Sequence, residues 1–382
     1  MNLWRELMSR KQMIKAFKYS GLYLTVGDDE RKIFPKIHSV QNRKYSTEYI
    51  FTLPNGLDPH ILKKNFFAFH QVFGKNIELK GDYKKFEFHV YKVSLPAELN
   101  YDYAAYSEHF GGLDLPIVAG VDLAGKLIAY CMVTNPHLLI AGETGSGKST
   151  QLRSVLSTLI QTLSPDRLQL YLCDLKRSEF YLFRNVEHVQ GLFVSAREML
   201  PMLQQLKKEM QHRGDLLDRA EVSHIDELPE KLPYIVLCID EVALLQDEKD
   251  IMTLVEEISA IGRALGVFLI LSMQRPDRKV LDGKLKNNLT VRMGFRCADL
   301  INSRIIGTPG SEKLKEAGRM LLKLPAFIDL KEVQSPYLST DKAKKILEGY
   351  KCAPPSDRKK QPLNAYESEL ESENDIFGVL KR

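Results

Sequence analysis

LLIAGETGSGKSTQLRSVLSTLIQTL, residues 138–163, sets a short apolar run, a glycine-rich octet and an amphipathic segment end to end. The octet from Gly142 to Ser149 fits the spacing G-x-x-x-x-G-K-[ST]. The apolar run before it reads as a strand. After it, Leu152, Val155, Leu156, Leu159, Ile160 and Leu163 recur at three- and four-residue spacing, which predicts a helix with one apolar face. This order of strand, loop and helix gives the octet its chemistry, because its glycines let backbone N–H groups turn inward around phosphates at the positive end of the helix dipole. The candidate cradle is Gly142, Glu143, Thr144, Gly145, Ser146, Gly147, Lys148, Ser149 and Thr150. Lys148 is placed to neutralise the β- and γ-phosphates of ATP, and Ser149 to hold Mg²⁺.

Two further stretches extend the site. YIVLCIDEVALL, residues 234–245, is an apolar run ending in Asp240 and Glu241. Asp240 suits the water shell of Mg²⁺, and Glu241 suits orienting or deprotonating the attacking water. VFLILSMQRP, residues 267–276, brings Ser272, Gln274 and Arg275 to the carboxyl end of another strand, where open α/β sheets bind ligands. Gln274 is placed there to sense the γ-phosphate, with a plain polar loop residue as the alternative. Five apolar runs, LLIA, LQLYLC, YIVLCI, VFLILS and VRMGF, alternate with helical stretches up to about residue 330. They predict an α/β domain whose parallel sheet is covered on both faces.

Upstream, between residues 49 and 93, the chain reads as strand YIFTL, helix DPHILKKNFFAFHQVFG, strand IELK and strand KFEFHVYKV, a small α+β domain. In that helix Asp58 is the cap and Pro59 the first residue, while Ile61, Leu62, Phe66, Phe69 and Phe73 mark one face. GGLDLPIVAGVDLAGKLIAY, residues 111–130, predicts a hairpin that leads into the second domain. The expected division is a basic α+β domain over residues 1–100, the α/β domain over 101–335 and a C-terminal segment over 336–382. The charge-rich end of that segment predicts disorder, with an apolar cluster at residues 376–380 as a candidate docking peptide.

Across 382 residues the chain is 44% hydrophobic and 27% charged, the composition of a soluble globular protein. No apolar run approaches the roughly 20 residues of a membrane span. Charges also interrupt the apolar positions at the N-terminus, so a cytoplasmic location is expected. Cys131, Cys173, Cys238, Cys297 and Cys352 show no metal-ligand spacing and predict no disulfide; Cys173 and Cys238 fall in strand-like runs as small hydrophobes. Net charge is only +5, but residues 1–100 hold 17 Lys and Arg against 10 Asp and Glu. That excess fits an acidic partner such as nucleic acid, or simply a basic surface.

From about residue 138 to 324 the motifs, taken in order, resemble those of the FtsK/SpoIIIE-type DNA translocases. DLKRSEF (174–180) is similar to that family's Asp-x-Lys segment, and EMQHR (209–213) to a helix of its pattern. IGRALGVFLILSMQRP (261–276) is similar to the stretch ending in its Gln-Arg-Pro triplet, and GKLKNNLTVRMGFRCADLINSR (283–304) to its Lys-x-Asn, Arg and Ser-Arg order. The resemblance implies a RecA-like P-loop NTPase fold and a hexameric ring that hydrolyses ATP between subunits and drives double-stranded DNA through its channel. It also implies Arg292, near a sheet edge facing the next subunit, as the first candidate for an arginine finger, with Arg263 second. Lys284, Lys286 and Arg304 become candidates for DNA-facing loops, each equally readable as a surface cation.

The membrane segments and the C-terminal winged-helix module of the chromosome-segregating members find no match in this sequence. The N-terminal region is more similar to the short domain preceding the motor in translocases of mobile elements, including coupling proteins of conjugative elements. The resemblance therefore implies service to a plasmid, conjugative element or phage, with that element's replication or transfer proteins as partners. Two other functions fit the residues: a helicase separating strands during element replication, and a ring-assembly protein switched by nucleotide. Asp240 beside Glu241 favours repeated hydrolysis over a static switch.

Overall fold

The computed structural model describes residues 2–352 apart from residues 28, 29, 44, 82, 93 and 282. The expected disordered tail and its apolar cluster at residues 376–380 lie outside the described residues.

Two separate apolar cores form. The first gathers helix α1 (Asn2–Tyr19) and an antiparallel sheet of β1 (Lys36–Asn42), β2 (Ser46–Thr52), β3 (Ile77–Lys80) and β4 (Lys85–Tyr91), in the order β1-β2-β4-β3. Alternation along β2 and β4 turns Tyr49, Phe51, Phe86 and Phe88 to one face, where they join Phe17 of α1 and Phe69. The single helix expected after Asp58 is instead two, α2 (His60–Lys64) and α3 (Phe67–Phe73). Asn65 breaks it: its backbone leaves the helical region at φ −104° and ψ 22°, and its Nδ2 donates to the Ser20 carbonyl at 2.9 Å. The break lets Leu62 and Phe69 share one core. Asp58 still accepts the His60 N–H, at 2.8 Å.

The five expected apolar runs are all strands of one ten-stranded sheet. Its strands are β5 (Pro116–Asp122), β6 (Leu127–Cys131), β7 (Leu138–Ala141), β8 (Leu168–Asp174), β9 (Val189–Phe193), β10 (Tyr234–Asp240), β11 (Val267–Met273), β12 (Val291–Phe295), β13 (Arg319–Lys323) and β14 (Lys331–Gln334). In space they run β9-β8-β10-β11-β7-β12-β13-β14-β5-β6. The stretch from β9 to β12 is parallel, and every later pair is antiparallel. The expected hairpin at residues 111–130 is the β5–β6 pair at the far edge.

Every residue of β7, β10, β11 and β12 is buried, which requires cover on both faces and explains why these strands read as unbroken apolar runs. Helix α4 (Lys148–Thr162) packs against β5 and β7, while α6 (Lys249–Ile261) packs on β11 and against α5 (Ala196–Ala220). The two cores are tied by Lys331 of β14, whose Nζ meets Glu78 Oε1 of β3 at 2.5 Å. Among the described residues no helix is long and apolar enough to cross a membrane.

Candidate active site at the carboxyl ends of the parallel strands

The glycine-rich octet follows β7 directly and closes into α4 at Lys148. Two of its glycines are there for stated steric reasons. Gly142 adopts φ +157°, and a Cβ on it would lie 2.6 Å from Phe295 Cβ. Gly147 adopts φ +110°, and a Cβ there would lie 2.7 Å from the backbone of Gly318. The loop is also tied from outside itself: Gly142 N–H donates to Met273 O at 3.1 Å, Glu143 N–H to Arg296 O at 2.9 Å, and Gly318 N–H to Ser146 O at 2.8 Å. Ser146 Oγ closes the turn by donating to Glu143 O at 2.6 Å. Ser149 and Thr150 are half-buried in the first turn of α4, and Thr144 and Gly145 are exposed at the tip.

Lys148 points down into the sheet. Its Nζ donates to Asp240 Oδ1 at 3.0 Å and to Ser272 Oγ at 2.7 Å, and Ser272 Oγ donates in turn to Asp240 Oδ1 at 3.1 Å. All three are buried, so this is a closed polar network at the ends of β10 and β11. The next residue, Glu241, is also buried and holds the left-handed conformation, φ 62° and ψ 61°. That conformation is costly for a residue with a side chain and recurs where a functional group must be aimed. Its carboxylate accepts the Gln274 N–H on both oxygens, at 3.1 and 3.2 Å, and pairs with Lys176 Nζ at 2.5 Å. The Gln274 side chain accepts from Thr144 Oγ1 at 3.3 Å, which links the loop tip to the end of β11.

The residues present fit a nucleoside triphosphate and a hard divalent cation. Glycine at 142 and 147 lets the loop backbone pack tightly against Phe295 and Gly318, a buried lysine follows it, and the donors at the sheet end are hydroxyl and carboxylate oxygens, the set magnesium prefers. Ser149 and Asp240 would hold the cation, and Lys148 the phosphates. A cavity of about 480 Å³ between α5 and α6 is lined by none of these residues.

Sequence reasoning placed Lys148, Asp240, Glu241 and Gln274 in one site, and the structure brings them together. It assigned Ser272 and Lys176 no partner, because Ser272 lies 124 residues from Lys148 and Lys176 lies 65 from Glu241. The one available signal for Lys176 was its place in the Asp-x-Lys segment. Cys173 and Cys238, on adjacent β8 and β10, are buried thiols, and burial pushes both well above the ordinary thiol range.

Arg292 requires a correction. Its strand, β12, is flanked by β7 and β13, so it is interior to the sheet and not near an edge. It pairs with Leu139 at the amino-terminal half of the parallel ladder, away from the octet. Its guanidinium is buried, with Nε donating to Leu289 O at 3.1 Å and Nη2 to Lys286 O at 2.5 Å. These carbonyls belong to the end of α7 (Gly283–Asn288) and the turn after it, so Arg292 closes a helix end within its own chain. Arg263, the second candidate, is exposed in the turn before β11.

Lys284 and Lys286 lie on α7, and Arg304 on α8 (Leu300–Ile306). The structure brings the two helices together: Lys286 Nζ donates to Arg304 O at 3.2 Å. Burial first, then the charges of Arg292, Lys323 and Arg278, push the Lys286 ammonium below its ordinary pKa. Lys286 is therefore crowded by other cations, while Lys284 and Arg304 are exposed on the same two helices.

A profile described as the FtsK/SpoIIIE family matches residues 112–231. The protein named DNA translocase FtsK in Borreliella burgdorferi is 36% identical over 228 residues, covering 56% of this chain and 29% of that protein. DNA translocase FtsK of Leptospira interrogans is 34% identical over 251 residues, covering 62% of this chain and 26% of that protein. The chain thus spans less than a third of the length of these relatives. Among solved structures, the pCW3 conjugation coupling protein TcpA, in its monomer form with ATPγS, aligns over 89% of this chain and 100% of its own, with a TM-score of 0.61 and 26% identity. The cytoplasmic domain of the Thermomonospora curvata type VII secretion ATPase EccC aligns over 63% of this chain and 32% of its own, with a TM-score of 0.55 and 26% identity.

Proposed function

From the premise that this chain carries an FtsK/SpoIIIE-family P-loop ATPase domain, we propose that it is a DNA translocase that hydrolyses ATP with Mg²⁺ to move along or pump double-stranded DNA. It works in the cytoplasm as a homo-oligomer, a hexameric ring, on behalf of a plasmid, conjugative element or phage and alongside that element's replication or transfer proteins. The same reading divides the chain into the units 1–100, 101–335 and 336–382; the two separate cores support the first boundary, whereas Leu338, Ala343 and Leu347 of the last unit pack into the second core.

The observation that carries the reading is the network joining Lys148, Asp240 and Ser272 beside the paired Glu241 and Gln274. Bound ATP with Mg²⁺ supplies the scissile phosphoanhydride and the charge that offsets its transition state. Lys148 would exchange Asp240 for phosphate oxygens, and the Asp240 carboxylate, with Ser149, would then hold Mg²⁺, whose charge would help neutralise the triphosphate. Glu241 aligns water against the γ-phosphorus and takes its proton. Gln274, hydrogen-bonded to Thr144 at the loop tip and to Glu241 through its N–H, is the residue through which the γ-phosphate's presence reaches the end of β11. Lys286, crowded by Arg292, Lys323 and Arg278, together with the exposed Lys284 and Arg304 supports a polyanionic track, since crowded like charges favour a partner that neutralises them.

Displacement of a third strand from duplex DNA, followed as a function of ATP, tests the proposal. Displacement that needs hydrolysis is the expected result. Separation of a forked duplex without third-strand displacement would make the protein a helicase, and ATP-dependent assembly without either would make it a switch.

A further inference from the structure

The Asp-x-Lys segment is left unused by the reading above, and its geometry is specific. Strand β8 ends at Asp174, directly paired with Asp240 on β10. Asp174 is buried, and its carboxylate accepts the N–H groups of Ser178, Glu179 and Phe180 at 3.0, 3.0 and 2.9 Å. The following turn, with Arg177 at φ +56°, is therefore pinned at its base. What the pinned turn presents to the site is Lys176, whose ammonium meets Glu241 Oε2 at 2.5 Å.

We propose that Lys176 is a positioning residue that restrains Glu241, keeping water activation low until the lysine is drawn away. The inference rests on the reading of Glu241 as the group that activates water. Both oxygens of Glu241 already accept from the Gln274 N–H, and Oε2 also takes the Lys176 ammonium. A carboxylate held this way must break or share a bond before it accepts a proton from water. The pair is also asymmetric: the Lys176 side chain is 30% exposed, whereas that of Glu241 is 5% exposed. An external anion can reach the lysine without entering the site, and the exposed Arg177 beside it adds to the attraction. A DNA phosphate drawn to this turn competes for the ammonium and frees the carboxylate. Duplex engagement and hydrolysis are thereby coupled through one ion pair.

The test is steady-state ATP hydrolysis by the full chain, with and without linear duplex DNA, for the wild type, Lys176→Ala, Lys176→Met and Lys176→Arg. Without DNA, the Ala and Met variants should turn over about threefold faster or more, with KM for ATP unchanged, and Arg should restore the wild-type rate. Adding Glu241→Gln to Lys176→Ala should abolish the gain, which shows that the gain runs through the carboxylate. DNA-free turnover at or below wild type in both the Ala and Met variants, with ATP still bound, would overturn the restraint. A wild type whose hydrolysis ignores duplex DNA would overturn the coupling to DNA and count against the translocation reading, while the restraint itself is judged on the DNA-free comparison.

Discussion

Lys148 has two sets of partners to choose between, Asp240 with Ser272 in the structure and phosphate oxygens in the proposed cycle. Replacing it with Ala removes the cation from both. Turnover should fall below detection while the protein stays folded, and near-normal hydrolysis in a phosphate-release assay would remove the cradle assignment. Glu241→Gln keeps the shape and the Gln274 contact but removes the base, so ATP should still bind while cleavage slows by about 100-fold or more. A loss of nucleotide affinity as large as that of Lys148→Ala, read by equilibrium binding, would contradict this division of roles. A third residue speaks to stability. His137 is buried beside β7 at φ +61°, and its Nδ1 accepts the Leu269 N–H at 3.0 Å, which requires a neutral ring. Burial pushes its pKa down to about 4 from 6.5, and the Ser259 carbonyl offsets only part of that. Between those values the unfolded chain takes up a proton that the folded chain refuses, so stability is full above pH 6.5 and falls as pH drops toward 4. The residue's share is about 3 kcal/mol over that window. Thermal unfolding across it should show a flatter pH dependence in His137→Gln.

At the scale of elements, legibility followed burial. The fully buried strands β7, β10, β11 and β12 were readable because both faces demand apolar side chains, which leaves no polar residue to break the run. Strands β9 and β14, with VQGLF and KEVQ only partly buried, carry no such signal. The split of α2 from α3 was invisible because periodicity does not register a tether such as Asn65 to Ser20, which crosses 45 residues. The octet was legible because its chemistry is local, whereas the Lys176 and Ser272 contacts are made only once distant strands lie side by side. The edge position expected for Arg292 failed for the same reason, since strand order cannot be read along one chain. Its role at the end of α7 carries its own prediction: Arg292→Ala leaves the Leu289 and Lys286 carbonyls without their donor and should cost about 1–3 kcal/mol in denaturant unfolding. Mixing it with Lys148→Ala subunits should restore no activity; recovery in mixed assemblies would return Arg292 to the finger role.

For the molecule as a whole, the proposed contacts of Lys284, Lys286 and Arg304 with DNA set the expected response to salt. Duplex DNA should stimulate hydrolysis with little regard to sequence, and the stimulation should fade steeply as salt rises, because phosphate contacts release counterions. Replacing Lys284 and Arg304 with Ala should lower the slope of log affinity on log salt by about one for each cation lost, measured by anisotropy titration. An unchanged slope would place the track elsewhere. The packing of Gly318 against Gly147, with its N–H on Ser146 O, bears on how the protein is made. The cradle at residues 142–149 leaves the ribosome early, but the backbone that braces it arrives some 170 residues later, a separation of 171 positions between Gly147 and Gly318. Strand β5, translated earlier still, finds its neighbour β14 only after that. A nascent chain therefore carries the octet well before it has the scaffold to use it, and competence to bind ATP should appear only once residues 318–334 have emerged, not when the motif does.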